Sequence, residues 1–159
     1  MAQIKAAFVG SFDPFTRGHL DIVQRVQTLG FDLVVGVGCN PDKPGWIPVA
    51  DRVQLIQQAL CPTYSICVES FAGLAIDFAR RHQAKCFIRG VRNATDLELE
   101  MNMAWANYDL APEVDTLVLP PRLQRLHYSS SLVRQIYHAG GDVSSLVPEN
   151  IYDYLLRMS

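Results

Sequence analysis

The stretch Ile4-Lys5-Ala6-Ala7-Phe8-Val9-Gly10-Ser11-Phe12-Asp13-Pro14-Phe15-Thr16-Arg17-Gly18-His19 runs from an apolar segment, through a loop bearing glycine and proline, into a helix start. Residues 4–9 predict a short strand that Gly10 ends. Beyond the loop, Leu20, Val23 and Val26 recur at helical spacing until Gly30 stops them. The alternation continues down the chain. Residues 32–39 are apolar on both faces and predict an interior parallel strand. Residues 40–48, rich in Pro, are loop. Helices are expected at 51–60, 73–82, 94–110, 130–139 and 148–158, and strands at 65–68, 85–88 and 114–119. Short strands alternating with helices imply an α/β fold: a five-stranded parallel sheet with helices on both faces, in one domain spanning 1–159. Ligands of such sheets bind beyond the carboxyl ends of the strands. Function is therefore sought after Val9, Gly38, Ile88 and Leu119.

Composition narrows the function. The 159 residues are 49% hydrophobic and 19% charged, with 14 Lys plus Arg against 16 Asp plus Glu. This near-neutral balance argues against a dedicated nucleic-acid binder and leaves room for a small phosphorylated ligand. No apolar run reaches the roughly 18–20 residues that span a bilayer, and no signal peptide is expected. A cytoplasmic protein is anticipated. The four cysteines have no metal-type spacing and read as buried free thiols. Trp46 and Trp105 read as packing residues of a loop and a helix.

Four clusters follow the strands. Gly10 to His19 places a backbone able to approach a ligand beside a helix N-terminus, with the hydroxyl of Ser11 and the ring of His19 at hand; this suits a phosphate-sized anion. It is neither a P-loop nor a dinucleotide fingerprint, and His19 could equally cap a helix. Lys43, in the second loop, can follow a phosphate as a flexible ammonium or simply be solvated. Arg89-Gly90-Val91-Arg92 sets two guanidiniums around a glycine, with Asp96 and Glu100 on the next helix to orient them. Tyr128-Ser129-Ser130-Ser131 begins a helix with more hydroxyls than a cap needs.

Gly10-Ser11-Phe12-Asp13-Pro14 with Thr16-Arg17-Gly18-His19 resembles the (H/T)-x-G-H signature of the nucleotidyltransferase superfamily, and Ser129-Ser130-Ser131-Leu132-Val133-Arg134 resembles its second signature. With Thr16, Lys43, Arg89-Gly90-Val91-Arg92 and Pro148-Glu149-Asn150, nearly the whole chain resembles the bacterial phosphopantetheine adenylyltransferases. The resemblance implies a Rossmann-like fold of nucleotidyltransferase type and adenylyl transfer from ATP to 4′-phosphopantetheine, in coenzyme A biosynthesis. It also implies Mg2+ with the ATP, and a homohexamer. It makes His19, Lys43 and Arg89 the catalytic residues. ATP would meet Ser11, Phe12, His19, Gly90, Val91, Arg92, Glu100, Arg125, Leu126, His127, Tyr128, Ser129, Ser130 and Ser131. Phosphopantetheine would meet Ser11, Lys43, Ala75 and Arg89. No nucleic acid or membrane partner is implied. The chain departs from the family pattern at Arg17, at Leu99 and over 125–128. Two other readings stay open: a nucleotidyltransferase acting on nicotinamide mononucleotide or a polyol phosphate, and a non-catalytic ATP sensor.

Overall fold

The computed structural model describes residues 3–40, 42, 44–61, 63–122, 124 and 127–158. Strands β1 (Lys5–Gly10), β2 (Asp32–Gly38), β3 (Cys67–Phe71), β4 (Cys86–Gly90) and β5 (Asp115–Leu119) form one parallel sheet in the order β3-β2-β1-β4-β5. The helices are α1 (Arg17–Thr28), α2 (Val49–Leu60), α3 (Ala75–Arg81), α4 (Ala94–Leu110), α5 (Ser130–His138) and α6 (Glu149–Met158). The chain steps outward from β1 through β2 to β3, then returns to lay β4 on the other side of β1. Ala6 pairs Cys86 and Phe8 pairs Ile88 across that junction. The loops leaving β1 and β4 turn apart there, and a crevice opens between them.

Alternation along the strands sorts the core into two layers. Ala6 and Phe8 face a layer completed by Ile22, Val23 and Val26 of α1, Leu55 and Ile56 of α2, Val133 of α5, and Ile151 and Leu155 of α6. Ala7, Val9, Val34 and Phe87 face Ile76, Phe78 and Ala79 of α3. Gly36 lets that second layer close. A Cβ there would lie 2.8 Å from the Phe78 ring, so this glycine serves packing. Full burial of Phe78 contributes about 1.5–3 kcal/mol.

Several boundaries differ from the sequence reading, each for a local reason. β3 runs to Phe71 and not to Val68. Glu69 and Ser70 are polar, but on an edge strand half the side chains face water, so an apolar run understates its length. α1 begins two residues before His19 because Thr16, not a later residue, is its N-cap. Trp105 is not packed: it is 61% exposed on a helix that buries no residue. The four thiols are free, but only Cys86 is buried, and Cys61 and Cys67 are exposed. No helix among the described residues is long and apolar enough to cross a membrane.

Candidate active site

A cleft of about 300 Å3 lies at the crevice. Its floor is the end of β1, from Phe8 to Gly10, and the loop residues Ser11 and Phe12. One wall is Gly18, His19 and Ile22 of α1; another is Arg89, Gly90, Val91, Arg92 and Glu100; the third is Pro121 with Tyr128 to Ser131. Residues from four distant stretches therefore share one space.

Two helix N-termini converge on it. Thr16 caps α1 and Ser129 caps α5, the latter accepting from the Leu132 N–H at 3.1 Å. A Cβ on Gly18 would lie 3.1 Å from the Tyr128 carbonyl oxygen. A bare backbone at Gly18 thus lets the start of α1 meet the segment leading into α5. The positive dipole ends of both helices concentrate anion-binding capacity there.

His19 is both a cap and a cleft residue. Its Nδ1 accepts from the Thr16 backbone N–H at 3.0 Å, and the Thr16 hydroxyl is 3.1 Å away. The His19 N–H in turn donates to that hydroxyl at 3.3 Å. Because Nδ1 accepts, the neutral ring carries its proton on Nε2. Burial, then the charges of Arg92 and Arg89, pull its pKa down from 6.5 to about 4. At neutral pH the ring is uncharged and presents one N–H donor. Phe12 and Phe15 flank it at 5.1 and 5.4 Å between ring centroids.

Each arginine is braced by one of the acids four residues apart on α4. Arg89 forms a fork with Glu100 at 2.6 and 2.7 Å and donates to the Val9 carbonyl at 2.6 Å. Two of its five N–H donors remain for a ligand, while both Glu100 oxygens are engaged. Arg92 pairs with Asp96 at 2.8 Å, and that hydrogen bond holds the Asp96 carboxyl below the usual carboxylate range. Among the serines, the Ser130 hydroxyl donates to the Pro14 carbonyl at 2.8 Å and Ser131 lies 3.5 Å from Arg134. The Ser130 hydroxyl thus ties α5 to the first loop, while those of Ser129 and Ser131 are engaged within α5 itself.

The described cleft contains Ser11, Phe12, His19, Arg89, Gly90, Val91, Arg92, Glu100, Tyr128, Ser129, Ser130 and Ser131. Exposed His127 does not line it, nor does Ala75, which starts α3 and packs beside the second core layer. Lys43, Arg125 and Leu126 lie outside the described residues. Sequence reasoning missed the supports of the first loop. The buried Asp13 carboxylate accepts from the N–H groups of Trp46 and Ile47 at 2.7 and 2.8 Å. Arg52 donates to the Ser11 carbonyl at 2.6 Å, and Arg134 to the Asp13 carbonyl. An Asp before proline reads as a turn and an Arg near a helix start as solvated. The only sequence signal was charge among apolar neighbours.

Braced guanidiniums, a neutral imidazole and two helix N-termini at the switch point of a doubly wound sheet make a phosphate-handling centre. The family model matching residues 7–136 is described as cytidylyltransferase-like. A phosphopantetheine adenylyltransferase from Nautilia profundicola is 43% identical over 92% of this chain and 96% of its own. Proteins of that name from Clostridium kluyveri and Alkaliphilus metalliredigens are 40% and 41% identical, covering 92% and 96% of this chain and 90% and 97% of theirs. The chain belongs to the phosphopantetheine adenylyltransferase family. A solved bifunctional NMN adenylyltransferase/ADP ribose pyrophosphatase from Francisella tularensis superimposes on 99% of this chain with a TM-score of 0.77 at 16% identity; this chain spans 50% of that protein's length. A structure of that protein with AMP and manganese gives a TM-score of 0.72, also at 16% identity, over 99% of this chain and 49% of its own. At such identity the shared property is the fold.

Proposed function

We propose that this chain transfers the adenylyl group of ATP to 4′-phosphopantetheine, giving dephospho-coenzyme A and pyrophosphate, by direct in-line displacement. An oxygen of the phosphopantetheine phosphate attacks the α-phosphorus of ATP. The bond from that phosphorus to the bridging oxygen breaks, and pyrophosphate leaves with the electron pair. The attacking phosphate is already anionic near neutral pH and needs no general base. The obstacle is repulsion between two phosphate-bearing ligands, so catalysis is positioning and neutralisation of charge. The observation that carries this reading is the cleft itself, where a locked, neutral His19 lines the same space as Arg89, Arg92 and two helix N-termini. The named relatives supply the acceptor.

In this reading His19 stabilises the charge that develops on the transferring phosphate. Ser11 and Phe12 meet the ATP, and Ser11 also meets the acceptor phosphate, which Lys43 and Arg89 hold. Ala75 borders the pantetheine arm. Gly90, Val91, Arg92, Glu100 and residues 128–131 surround the nucleotide. Mg2+ arrives on the ATP as part of the substrate. A cytoplasmic site of action accords with the free thiols. The chain assembles as a homohexamer, which is supported by α4. Leu99, Met103, Trp105, Tyr108 and Leu110 are each more than half exposed, beside partly exposed Leu117 and Val118 of β5. An apolar surface of this extent marks an interface between molecules.

Purified protein with Mg-ATP and 4′-phosphopantetheine is expected to form dephospho-coenzyme A, identified by mass, with one pyrophosphate per product. Lys43→Ala should raise the KM for phosphopantetheine more than that for ATP. Product from nicotinamide mononucleotide but not from phosphopantetheine would overturn the reading.

A further inference from the structure

Three carbonyls of the loop after β1 are held by side chains of other elements. Ser11 O accepts from Arg52 Nη1 at 2.6 Å, Asp13 O from Arg134, and Pro14 O from Ser130 Oγ at 2.8 Å. The first of these bonds comes from the least expected place. Arg52 is 5% exposed, and its Nε has no hydrogen-bond partner among the described residues. Burying a guanidinium is costly, and an apolar side chain of similar length would pack α2 without that cost. A Cβ at Gly45 would fall 2.9 Å from both Arg52 Nη2 and Asp13 Oδ2, so a bare backbone is threaded between these two buried charges.

The Ser11–Phe12 peptide is trans; the one cis bond among the described residues is Asp13-Pro14. In a trans peptide the C=O and the following N–H point in opposite directions. With the Ser11 carbonyl fixed on Arg52, the Phe12 N–H is aimed away from α2. Phe12 lines the cleft, and Arg52 does not. Phe12 also sits at φ +47, a left-handed conformation uncommon for a bulky residue and kept only where the surroundings over-determine it. Its ring is gripped by Phe8, Phe15 and His19 at 5.1, 5.6 and 5.1 Å. The ring is anchored on one side and the preceding carbonyl on the other.

We infer that Arg52 is a positioning residue for adenylyl transfer: by drawing the Ser11 carbonyl into the core it aims the Phe12 N–H into the cleft as a fixed donor to a nucleotide phosphate oxygen. This deepens the adenylyl-transfer reading and rests on it. Arg52 touches no substrate, so its loss shifts the aim of a donor and leaves the acceptor site in place.

The test uses the full-length protein with R52M, R52K and G45A, each assayed well below its own unfolding midpoint. Two quantities are read: steady-state kinetics with both substrates, and binding of inorganic tripolyphosphate by calorimetry. R52M is expected to lower kcat about 10²-fold, as for a misplaced donor. Tripolyphosphate binding should weaken at least ~10-fold, while the KM for phosphopantetheine stays within about threefold. R52K, whose ammonium still donates to a carbonyl, should recover part of both losses. G45A keeps both charges but pushes them apart, and should reproduce the split; it also serves if R52M does not fold. Folded variants with wild-type kcat and tripolyphosphate affinity would overturn the inference. So would losses that affect both substrates alike and track only the unfolded fraction. Failure of the wild-type protein to make dephospho-coenzyme A would refute the broader reaction, while the tripolyphosphate measurements would still report on the donor.

Discussion

α1 and α4 flank one sheet and obey opposite rules. α1 is strongly amphipathic: Ile22, Val23 and Val26 are buried along one stripe, and its N-terminus, closed by the Thr16 and His19 capping box, borders the cleft. α4 is longer, at 17 residues, and buries none of them, with apolar side chains distributed around its circumference. A helix with one apolar stripe is stabilised by its own chain's core. A helix that is apolar without a stripe, and unburied, draws little stability from its own chain's core. The same sheet therefore carries one helix that borders the candidate cleft and one that a neighbouring copy would cover in the proposed homohexamer.

Matched substitutions test that division most directly. Val26→Asp buries an unpaired carboxylate and should cost roughly 4 kcal/mol or more, read by urea unfolding. Trp105→Asp should leave the unfolding of the isolated protomer nearly unchanged and disperse the assembly, read by sedimentation. An intact assembly in that variant would remove α4 from the interface.

His19→Ala, at the functional end of α1, should lower kcat at least ~10²-fold, about 2.7 kcal/mol of transition-state stabilisation. Near-normal turnover would take His19 out of that role.

The same residue makes a pH signature. His19 is held neutral down to about pH 4 in the fold and titrates near 6.5 when unfolded. Between those values the unfolded chain binds the additional proton. Its contribution to stability is therefore complete above 6.5 and is lost as pH falls toward 4. Thermal unfolding of His19→Gln should show a shallower decline over that window than the wild type.

The smallest contrast lies in the two caps. Asn93 caps α4 by accepting from the Asp96 N–H at 2.9 Å. Asn93→Ala should cost about 1 kcal/mol. Thr16→Ala should cost a similar amount and also lower kcat, because it removes the hydroxyl that contacts both Nδ1 and the backbone N–H of His19, leaving the Thr16 backbone N–H alone to hold the ring. Equal kinetic effects of the two cap variants would show that the Thr16 contact matters only to folding.

Much of this was legible in the residues. The alternation of 4–9, 32–39, 85–88 and 114–119 with amphipathic segments is local, because period 2 and period 3.6 are set by each element's own backbone. The clusters at Gly10 to His19, Arg89 to Arg92 and Tyr128 to Ser131 were found for the same reason, since each is contiguous and follows a strand. Trp105, read as packed, is exposed because periodicity reports that a face is apolar and not what covers it. Asp13 and Arg134 stand inside the quoted motifs, but the supporting contacts of Asp13, Arg52 and Arg134 are not legible in the sequence, because their partners are 33 or more residues away in the chain.

The sequence by itself determined which segments become strands and helices, where the chain breaks for loops, and which side chains are chemically fit to meet phosphate. Only the tertiary structure decided that β4 returns to the far side of β1, that His19 is neutral with its proton on Nε2, and that a buried arginine holds the Ser11 carbonyl. Backbone propensity acts over a few residues. Proton affinity, desolvation and the direction of a peptide N–H depend on groups that only the folded chain brings within a few ångströms.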